Sequence, residues 1–148
     1  MKVRELLQVK STALVTIDQE QTLLEASGLL NDHHIGVLLV VDAEQKPVGI
    51  LSERDVVRLF AEKKDQCATV QVQEAMTKDL IVGLPSDDLS YVMHVMTQQR
   101  IRHLPVLDDE TLVGLISIGD VVKAQVDQAK TEIRYLQSYI TGIPDSSL

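Results

Sequence analysis

Val48-Gly49-Ile50-Leu51-Ser52-Glu53-Arg54-Asp55-Val56-Val57-Arg58 occurs a second time, 65 residues later, as Val113-Gly114-Leu115-Ile116-Ser117-Ile118-Gly119-Asp120-Val121-Val122-Lys123. Six of the eleven positions are identical, and most of the others are Ile/Leu or Arg/Lys exchanges. Such a fixed-period repeat indicates a fold assembled from copies of one small unit. The chain is therefore predicted to contain two tandem repeats, at residues 1–66 and 67–148, the second of which includes a C-terminal helix.

Each copy of this motif has the pattern of a strand that turns directly into a helix. Ser52 and Ser117 stand at helix N-cap positions, and Asp55 and Asp120 follow three residues later, which is the spacing of a capping box. A single such motif needs no role beyond capping. Its duplication beside a glycine favours ligand binding, because a helix N-terminus attracts phosphate and a short carboxylate can accept hydrogen bonds from a ribose diol. The turn is therefore a candidate nucleotide site.

The two halves show the same succession of apolar patterns outside the motif. Each half opens with a short amphipathic helix and continues with a strand, a helix, a second strand and a tight hairpin. The matching segments are 3–7 with 72–76, 13–17 with 80–82, 23–30 with 89–96, and 35–42 with 101–108. The sequence predicts an α/β (α+β) fold of two small three-stranded sheets packed with helices and related by pseudo-twofold symmetry. The charged residues 61–69 are predicted to form a linker.

A long helix is predicted after the second motif. Its apolar residues alternate at spacings of four and three, which is the a/d seam of a coiled coil; they are Val122, Val126, Ala129, Ile133, Leu136 and Ile140. Gly142, followed by Ile143-Pro144, is expected to end the helix, with a frayed tail beyond. The seam either packs on its own domain or meets a second copy, and a homodimer is predicted.

Composition limits the compartment and the kinds of partner. The 148 residues are 45% hydrophobic but 3% aromatic, so the core must be aliphatic. A net charge of −8 excludes the basic footprint of a nucleic-acid-binding protein. The single Cys67, the absence of a signal peptide and the lack of a membrane-length apolar run predict a cytoplasmic protein. The histidines His33, His34, His94 and His103 are too scattered to predict a metal site.

The two motif copies, together with residues 101–108, resemble the CBS domain family, named for the regulatory part of cystathionine β-synthase. Two copies in this family form a paired unit called a Bateman module. The resemblance covers residues 1–123. It implies a non-catalytic regulatory sensor that binds an adenine nucleotide such as AMP, ADP, ATP, NAD(H) or S-adenosylmethionine in clefts between the repeats. It further implies a disc-like homodimer that acts on a regulated partner protein.

By position, the resemblance assigns roles in nucleotide binding to both copies of the motif. Asp55 and Asp120 match the ribose-binding carboxylate, and Ser52 and Ser117 match the hydroxyl of the same turn. The residues that match the apolar walls around the base are Ile35, Ile50, Ile101 and Leu115.

The resemblance also implies that the two sites are unequal. Arg102 and His103 lie where many members keep basic phosphate ligands, whereas the first copy has the uncharged Gly36 and Val37. Arg54, at the start of the first motif helix, is predicted to supply the missing cation.

Two other classes of function are open from the residues. An enzyme is one, but the chain has no nucleophile elbow, P-loop or G-x-G-x-x-G sequence, so catalysis would require an unrecognised site. A pure oligomerisation module is the other, in which the clefts are empty and the Ser/Asp turns are only helix caps.

Overall fold

The structure is a computed structural model and describes residues 1–10 and 14–141. The helices in this part of the chain are α1 (Val3–Val9), α2 (Leu23–His33), α3 (Glu53–Lys63), α4 (Val72–Ala75), α5 (Leu89–Gln99) and α6 (Ile118–Thr141). The strands are β1 (Thr16–Asp18), β2 (Val37–Val41), β3 (Pro47–Ser52), β4 (His103–Asp108) and β5 (Thr111–Ser117). The α/β fold with a long C-terminal helix is thereby confirmed, and each motif is a strand that runs straight into a helix.

The chain forms two compact units, each assembled from separate stretches of sequence. Unit 1 comprises Met1–Ser11, Pro85–Leu104 and Ile116–Leu148, and unit 2 comprises Thr12–Leu84 and Pro105–Leu115. Each unit thus contains segments of both repeats. The repeat boundary at residues 66 and 67 concerns the sequence and stays a prediction.

The three-stranded sheet of unit 2 has β2 in the middle, parallel to β1 and antiparallel to β3. Leu38, Leu39 and Val40 of β2 are fully buried, because the strand is covered on both faces. The core cluster packed around this sheet is aliphatic apart from Cys67; it consists of Ile17, Leu23, Ala26, Leu30, Leu38, Val40, Leu51, Leu59, Cys67, Val70, Val72 and Ala75. The composition predicted such a core correctly.

The leading helix of each repeat packs in the unit that holds the later helices of the other repeat. In unit 1, α1 contacts α6. Two backbone hydrogen bonds hold the start of α1 in place, from Val3 N to Asp87 O (2.9 Å) and from Leu89 N to Met1 O (3.0 Å). In unit 2, α4 contacts α3 and β3, and the matching bonds run from Val72 N to Gln21 O (2.8 Å) and from Leu23 N to Val70 O (2.9 Å). This exchange brings the end of α1 to the second motif.

The second sheet differs from the prediction of three strands. β4 and β5 form a two-stranded sheet, and residues 80–82 are not a strand. A single parallel bridge joins Gly83 to Val106 instead, with Gly83 N donating to Pro105 O at 2.8 Å and Leu107 N donating to Gly83 O at 3.0 Å. Pro85, which lacks an N–H group, follows two residues later, so the ladder cannot extend in that direction.

The predicted linker at residues 61–69 is wrong. Helix α3 continues to Lys63 and a 3₁₀ helix, Lys64–Thr69, follows it. Cys67 in this turn is 6% exposed and belongs to the core of unit 2. A single buried residue among charged and polar neighbours does not produce a periodic apolar pattern. The sequence therefore did not predict that this segment packs on the core.

The long helix α6 exposes most of its predicted seam. Val121 is its one buried residue within the described part of the chain, whereas the seam residues Val122, Val126, Ile133, Leu136 and Ile140 are 45–80% exposed. The seam is therefore not packed on its own domain. The predicted stop at Gly142 and the tail lie outside the described residues.

Candidate functional site

The second motif turn places a carboxylate at the start of α6 in unit 1. Ser117 N donates to Asp120 Oδ2 at 2.9 Å, and Asp120 N donates to Ser117 Oγ at 3.1 Å. These bonds form the reciprocal capping box that the spacing predicts. Lys10, at the end of α1, donates from Nζ to the same Asp120 Oδ2 at 2.7 Å. The turn thus contains an ion pair between residues from opposite ends of the chain.

This ion pair fixes the charge state of the second turn. Burial acts to raise the pKa of Asp120, but the hydrogen bonds from Lys10 and Ser117 outweigh it, so the pKa lies below its ordinary value. Asp120 is ionised at neutral pH. Its side chain is 27% exposed, and that of Lys10 is 23% exposed, so a ligand can reach both groups.

His103 and Arg102 add positive or protonatable groups close to this pair. Burial lowers the pKa of His103, the charges of Lys10 and Arg102 lower it further, and these effects outweigh the opposing charge of Asp120. Arg102 O accepts a 2.8 Å hydrogen bond from Ile118 N, the first residue of α6, while the Arg102 side chain is exposed. The second turn is therefore bordered by Lys10, Arg102 and a neutral His103.

The first motif turn has the same capping box, but a different cation is bonded to its aspartate. Ser52 N and Ser52 Oγ donate to Asp55 Oδ2 at 2.9 Å and 3.0 Å. Arg58, one turn further along α3, donates from Nη1 to Asp55 Oδ1 at 3.1 Å and from Nη2 to Ala75 O at 3.2 Å. The Asp55 side chain is only 10% exposed. Both of its oxygens are thus engaged by unit 2 itself.

The surroundings of the first turn are also more acidic. Glu53 N donates to Gly36 O at 3.0 Å, which is the counterpart of the bond from Ile118 to Arg102. A methyl group built on Gly36 would lie 3.7 Å from the carboxyl carbon of Glu53. Where the second copy has the Arg102 side chain, the first copy therefore has a glycine with the Glu53 carboxylate beside it.

The glycine of the first motif serves packing inside unit 2. A Cβ at Gly49 would clash with Met76 Sδ and lie 3.0 Å from Thr77 O, because Thr77 pairs with Ile50 through backbone bonds of 2.9 Å and 3.0 Å. The glycine thus lets the segment that follows α4 pack closely against β3. This packing is a sufficient reason for a glycine at this position, and no ligand is needed to explain it.

The structure distributes the predicted site residues between the two units. Unit 1 holds Ile101, Arg102, His103, Ser117 and Asp120. Unit 2 holds Ile35, Ile50, Ser52, Arg54, Asp55 and Leu115. Ile35 packs against the core of unit 2, and Arg54 is exposed on α3, whereas Arg58 is the cation that reaches Asp55.

Sequence reasoning missed two charged residues. Arg58 could have been found, because residues three apart on a helix are neighbours and it follows Asp55 at that spacing. Lys10 carried no such signal, because it lies 110 residues from Asp120 along the chain and meets it only through the exchange of leading helices.

Two further kinds of site were searched for in residues 1–10 and 14–141. No group of three or more His, Cys, Asp or Glu residues there could hold a metal ion. No helix in the same ranges is long and apolar enough to cross a membrane.

The family model of the CBS domain matches this chain twice, at residues 3–62 and 72–127. The chain is 35% identical over 127 residues to the CBS domain-containing protein CBSX3, mitochondrial, of Arabidopsis thaliana, a match that covers 83% of this chain but 62% of that protein. It therefore spans less than two thirds of the length of this relative.

Solved structures agree with the family match. The CBS-domain containing protein ATU1752 from Agrobacterium tumefaciens is 38% identical and superposes with a TM-score of 0.77 over 84% of this chain and 92% of that chain. The CBS domain pair of protein MJ0100, in complex with 5′-methylthioadenosine and S-adenosyl-L-methionine, is 25% identical with a TM-score of 0.75 over 86% of this chain and 98% of that chain. With two matched repeats and the same fold as these proteins, this chain belongs to the CBS domain family.

Proposed function

We propose that this protein is a regulatory module that binds an adenine nucleotide at the second motif turn and acts on a partner protein without catalysing a reaction. AMP, ATP and NAD are the ligands that the family resemblance implies, and S-adenosylmethionine shares their adenosine moiety. The ligands of the MJ0100 domain pair contain the same moiety, which supports this class. The cytoplasmic location stays a prediction.

The observation that carries the proposal is the state of the Asp120 carboxylate. The hydrogen bonds donated by Ser117 N and Lys10 Nζ both go to Asp120 Oδ2. Neither of these two donors is bonded to Oδ1. An ionised, partly exposed oxygen is a strong acceptor for hydroxyl donors, so it suits the diol of a ribose.

The neighbouring cations suit the phosphates of the same ligand. Lys10 and Arg102 carry positive charge, and His103 would gain a proton beside an anion. A ribose held by Asp120 and a phosphate held by these cations are the two contacts that a nucleotide needs beyond its base. Ile101, next to Arg102 in sequence, is proposed as an apolar contact for the base.

The first turn is proposed as the weaker site. Arg58 and Ser52 engage both oxygens of Asp55, so a ribose would have to displace Arg58 before it could bind there. One strong and one weaker binding event per chain are therefore expected. Residues Ser52, Arg54, Asp55, Ile35, Ile50 and Leu115 remain proposed ligands of that second, weaker event.

The test is calorimetric titration of the full chain with adenosine, AMP, ATP and NAD. Asp120→Asn keeps the size of the side chain but removes the charged acceptor, and we expect AMP affinity to fall about ten- to hundredfold, since a hydrogen bond to a charged group contributes about 1.5–3 kcal/mol. Asp127→Asn, which changes an exposed carboxylate elsewhere on α6, is the matched control and should bind like the wild type.

Three outcomes would contradict the proposal. No saturable binding by the wild type favours the oligomerisation module. Equal affinity in Asp120→Asn and wild type removes the ribose role of Asp120. Conversion of the nucleotide, measured by chromatography after prolonged incubation, makes the protein an enzyme.

A further inference from the structure

The ion pair between Lys10 and Asp120 occupies part of the proposed ribose site. Lys10 Nζ lies 2.7 Å from Asp120 Oδ2, and the same oxygen accepts the hydrogen bond from Ser117 N. Both charged side chains are partly buried. A ribose hydroxyl that binds to this oxygen must therefore compete with the ammonium group of Lys10.

Moving the ammonium group away from Asp120 has a cost that depends on what the ligand offers in return. A partly buried charge that loses its counterion is destabilised, because water replaces the lost interaction only in part. Adenosine offers Lys10 no new anion. An adenosine 5′-phosphate carries one on the same ribose, and the flexible four-carbon stem of a lysine can turn its ammonium group from a carboxylate to a phosphate. The exchange of partners thus favours a phosphorylated ligand.

The backbone that carries Lys10 stays in place when the side chain turns. Val3 and Leu6 of α1 are buried, and Lys10 N donates to Leu6 O at 3.0 Å. The end of α1 is therefore held to unit 1 independently of the ion pair. Only a rotation of the Lys10 side chain is needed for the exchange.

The charges around the ion pair act in the same direction. Three charged groups act on His103 and therefore lie together around this turn, namely Lys10, Asp120 and Arg102. Two of these groups are cations and one is a carboxylate. S-adenosylmethionine has a positively charged sulfur in place of the 5′-phosphate, so it would bring a further cation to this group. Such a juxtaposition of like charges disfavours binding.

We infer that Lys10 is a specificity-determining residue of the second turn, which exchanges Asp120 for the phosphate of an adenosine 5′-phosphate and so selects this class against neutral and sulfonium adenosines. The inference rests on the proposed function, in which Asp120 binds the ribose. It narrows the ligands from all adenosine compounds to AMP, ADP, ATP and NAD.

Calorimetric titration of the full chain with AMP, 5′-methylthioadenosine and S-adenosylmethionine tests the selectivity. 5′-Methylthioadenosine is the matched ligand for AMP, because a neutral methylthio group replaces the phosphate. At the stronger site, the wild type should bind AMP at least about tenfold more tightly than 5′-methylthioadenosine, since a charge-assisted contact is much stronger than a neutral one. S-adenosylmethionine should bind most weakly of the three.

The variant Lys10→Met removes the ammonium group and keeps a long unbranched side chain. Its affinity for AMP should fall about tenfold. Its affinity for 5′-methylthioadenosine should equal or exceed that of the wild type, because Lys10 no longer competes for Asp120. Lys2→Met removes a lysine from an exposed ion pair with Asp88 at the start of the same helix, so it is the matched control and should keep the wild-type affinities. Circular dichroism melts establish that both variants are folded.

Two kinds of failure can be told apart. A wild type that binds S-adenosylmethionine as tightly as AMP overturns the inference and leaves the proposed function standing. The same holds if Lys10→Met leaves AMP affinity unchanged or weakens all three ligands by one factor. A wild type that binds none of the three ligands overturns the proposed function and this inference with it.

Discussion

The two motif turns have the same pair of capping bonds between serine and aspartate, yet their carboxylates have different partners. Asp55 is buried and has hydrogen bonds on both oxygens, one of them from Arg58 on its own helix. Asp120 is more exposed, and the hydrogen bonds that it accepts from Ser117 N and from Lys10, at the opposite end of the chain, both go to Oδ2. Two copies of one motif thus produce one turn that is closed by its own unit and one that can accept further donors.

The difference shows that the motif determines local geometry, whereas the residues around it determine chemistry. Serine and aspartate three residues apart are sufficient for the cap. Whether the aspartate is available depends on the residue one turn later, which is Arg58 in the first copy and Lys123 in the second. Arg58 reaches back to Asp55, whereas among the described residues the cation bonded to Asp120 is Lys10 and not Lys123.

The largest effect is expected from the residue that closes the first turn. Arg58→Ala should lower the free energy of unfolding by about 1–2 kcal/mol, because it leaves a buried carboxylate without its charged donor, although the half-exposed guanidinium is screened by water. Lys123→Ala, at the equivalent position of α6, should change the stability by less than about 0.5 kcal/mol. Urea titration measures both values.

The same variant also tests the expected inequality in ligand binding. If Arg58 is what closes the first turn, Arg58→Ala should strengthen the weaker binding event in calorimetric titration with AMP. Equal losses of stability in the two variants would show that the turns do not differ in the way proposed.

The sequence predicted the local structure of both turns and the order of nearly all elements. Strand ends, N-caps and apolar helix faces depend on residues that are close together in the sequence, so periodicity and spacing were enough to predict them. It did not reveal Lys10 as the partner of Asp120, because that contact requires α1 to pack beside α6. It also did not reveal Arg58 as the partner of Asp55, because that contact lies one helical turn beyond the N-cap motif. The phosphate role predicted for Arg54 stays a prediction.

A smaller effect is expected from pH, and it should be confined to the second turn. The pKa of His103 is lowered in the folded chain below its ordinary value of 6.5. The unfolded chain therefore binds more protons as the pH falls from about 6.5 towards the folded pKa, and stability decreases over that window. Val37 stands at the equivalent place in the first copy, so this turn has no corresponding titration.

Urea titrations between pH 5 and 8, within which the ordinary carboxylates stay ionised, measure this effect. His103→Gln should flatten the decrease below pH 6.5. His94→Gln, on the exposed face of α5 in the same unit, is the control and should retain the slope of the wild type. A slope that is unchanged in His103→Gln would assign the pH response to another group.

The smallest effect concerns the phosphate role of Arg102, which distinguishes the second turn from the first. The Arg102 side chain is exposed, so its attraction for an anion is screened and should contribute at most about 1 kcal/mol, or roughly fivefold in affinity. Arg102→Ala should therefore weaken ATP about three- to fivefold, AMP less, and adenosine hardly at all. Ile101→Ala, in contrast, should weaken all three ligands by the same factor, because it is proposed to contact the shared base. Arg54→Ala removes an equal charge from the first turn and should leave binding at the second turn unchanged. If Arg102→Ala lowers the affinities for the three ligands equally, its side chain does not contact phosphate, and the distinction between the turns would then rest on Asp120 and Lys10 alone.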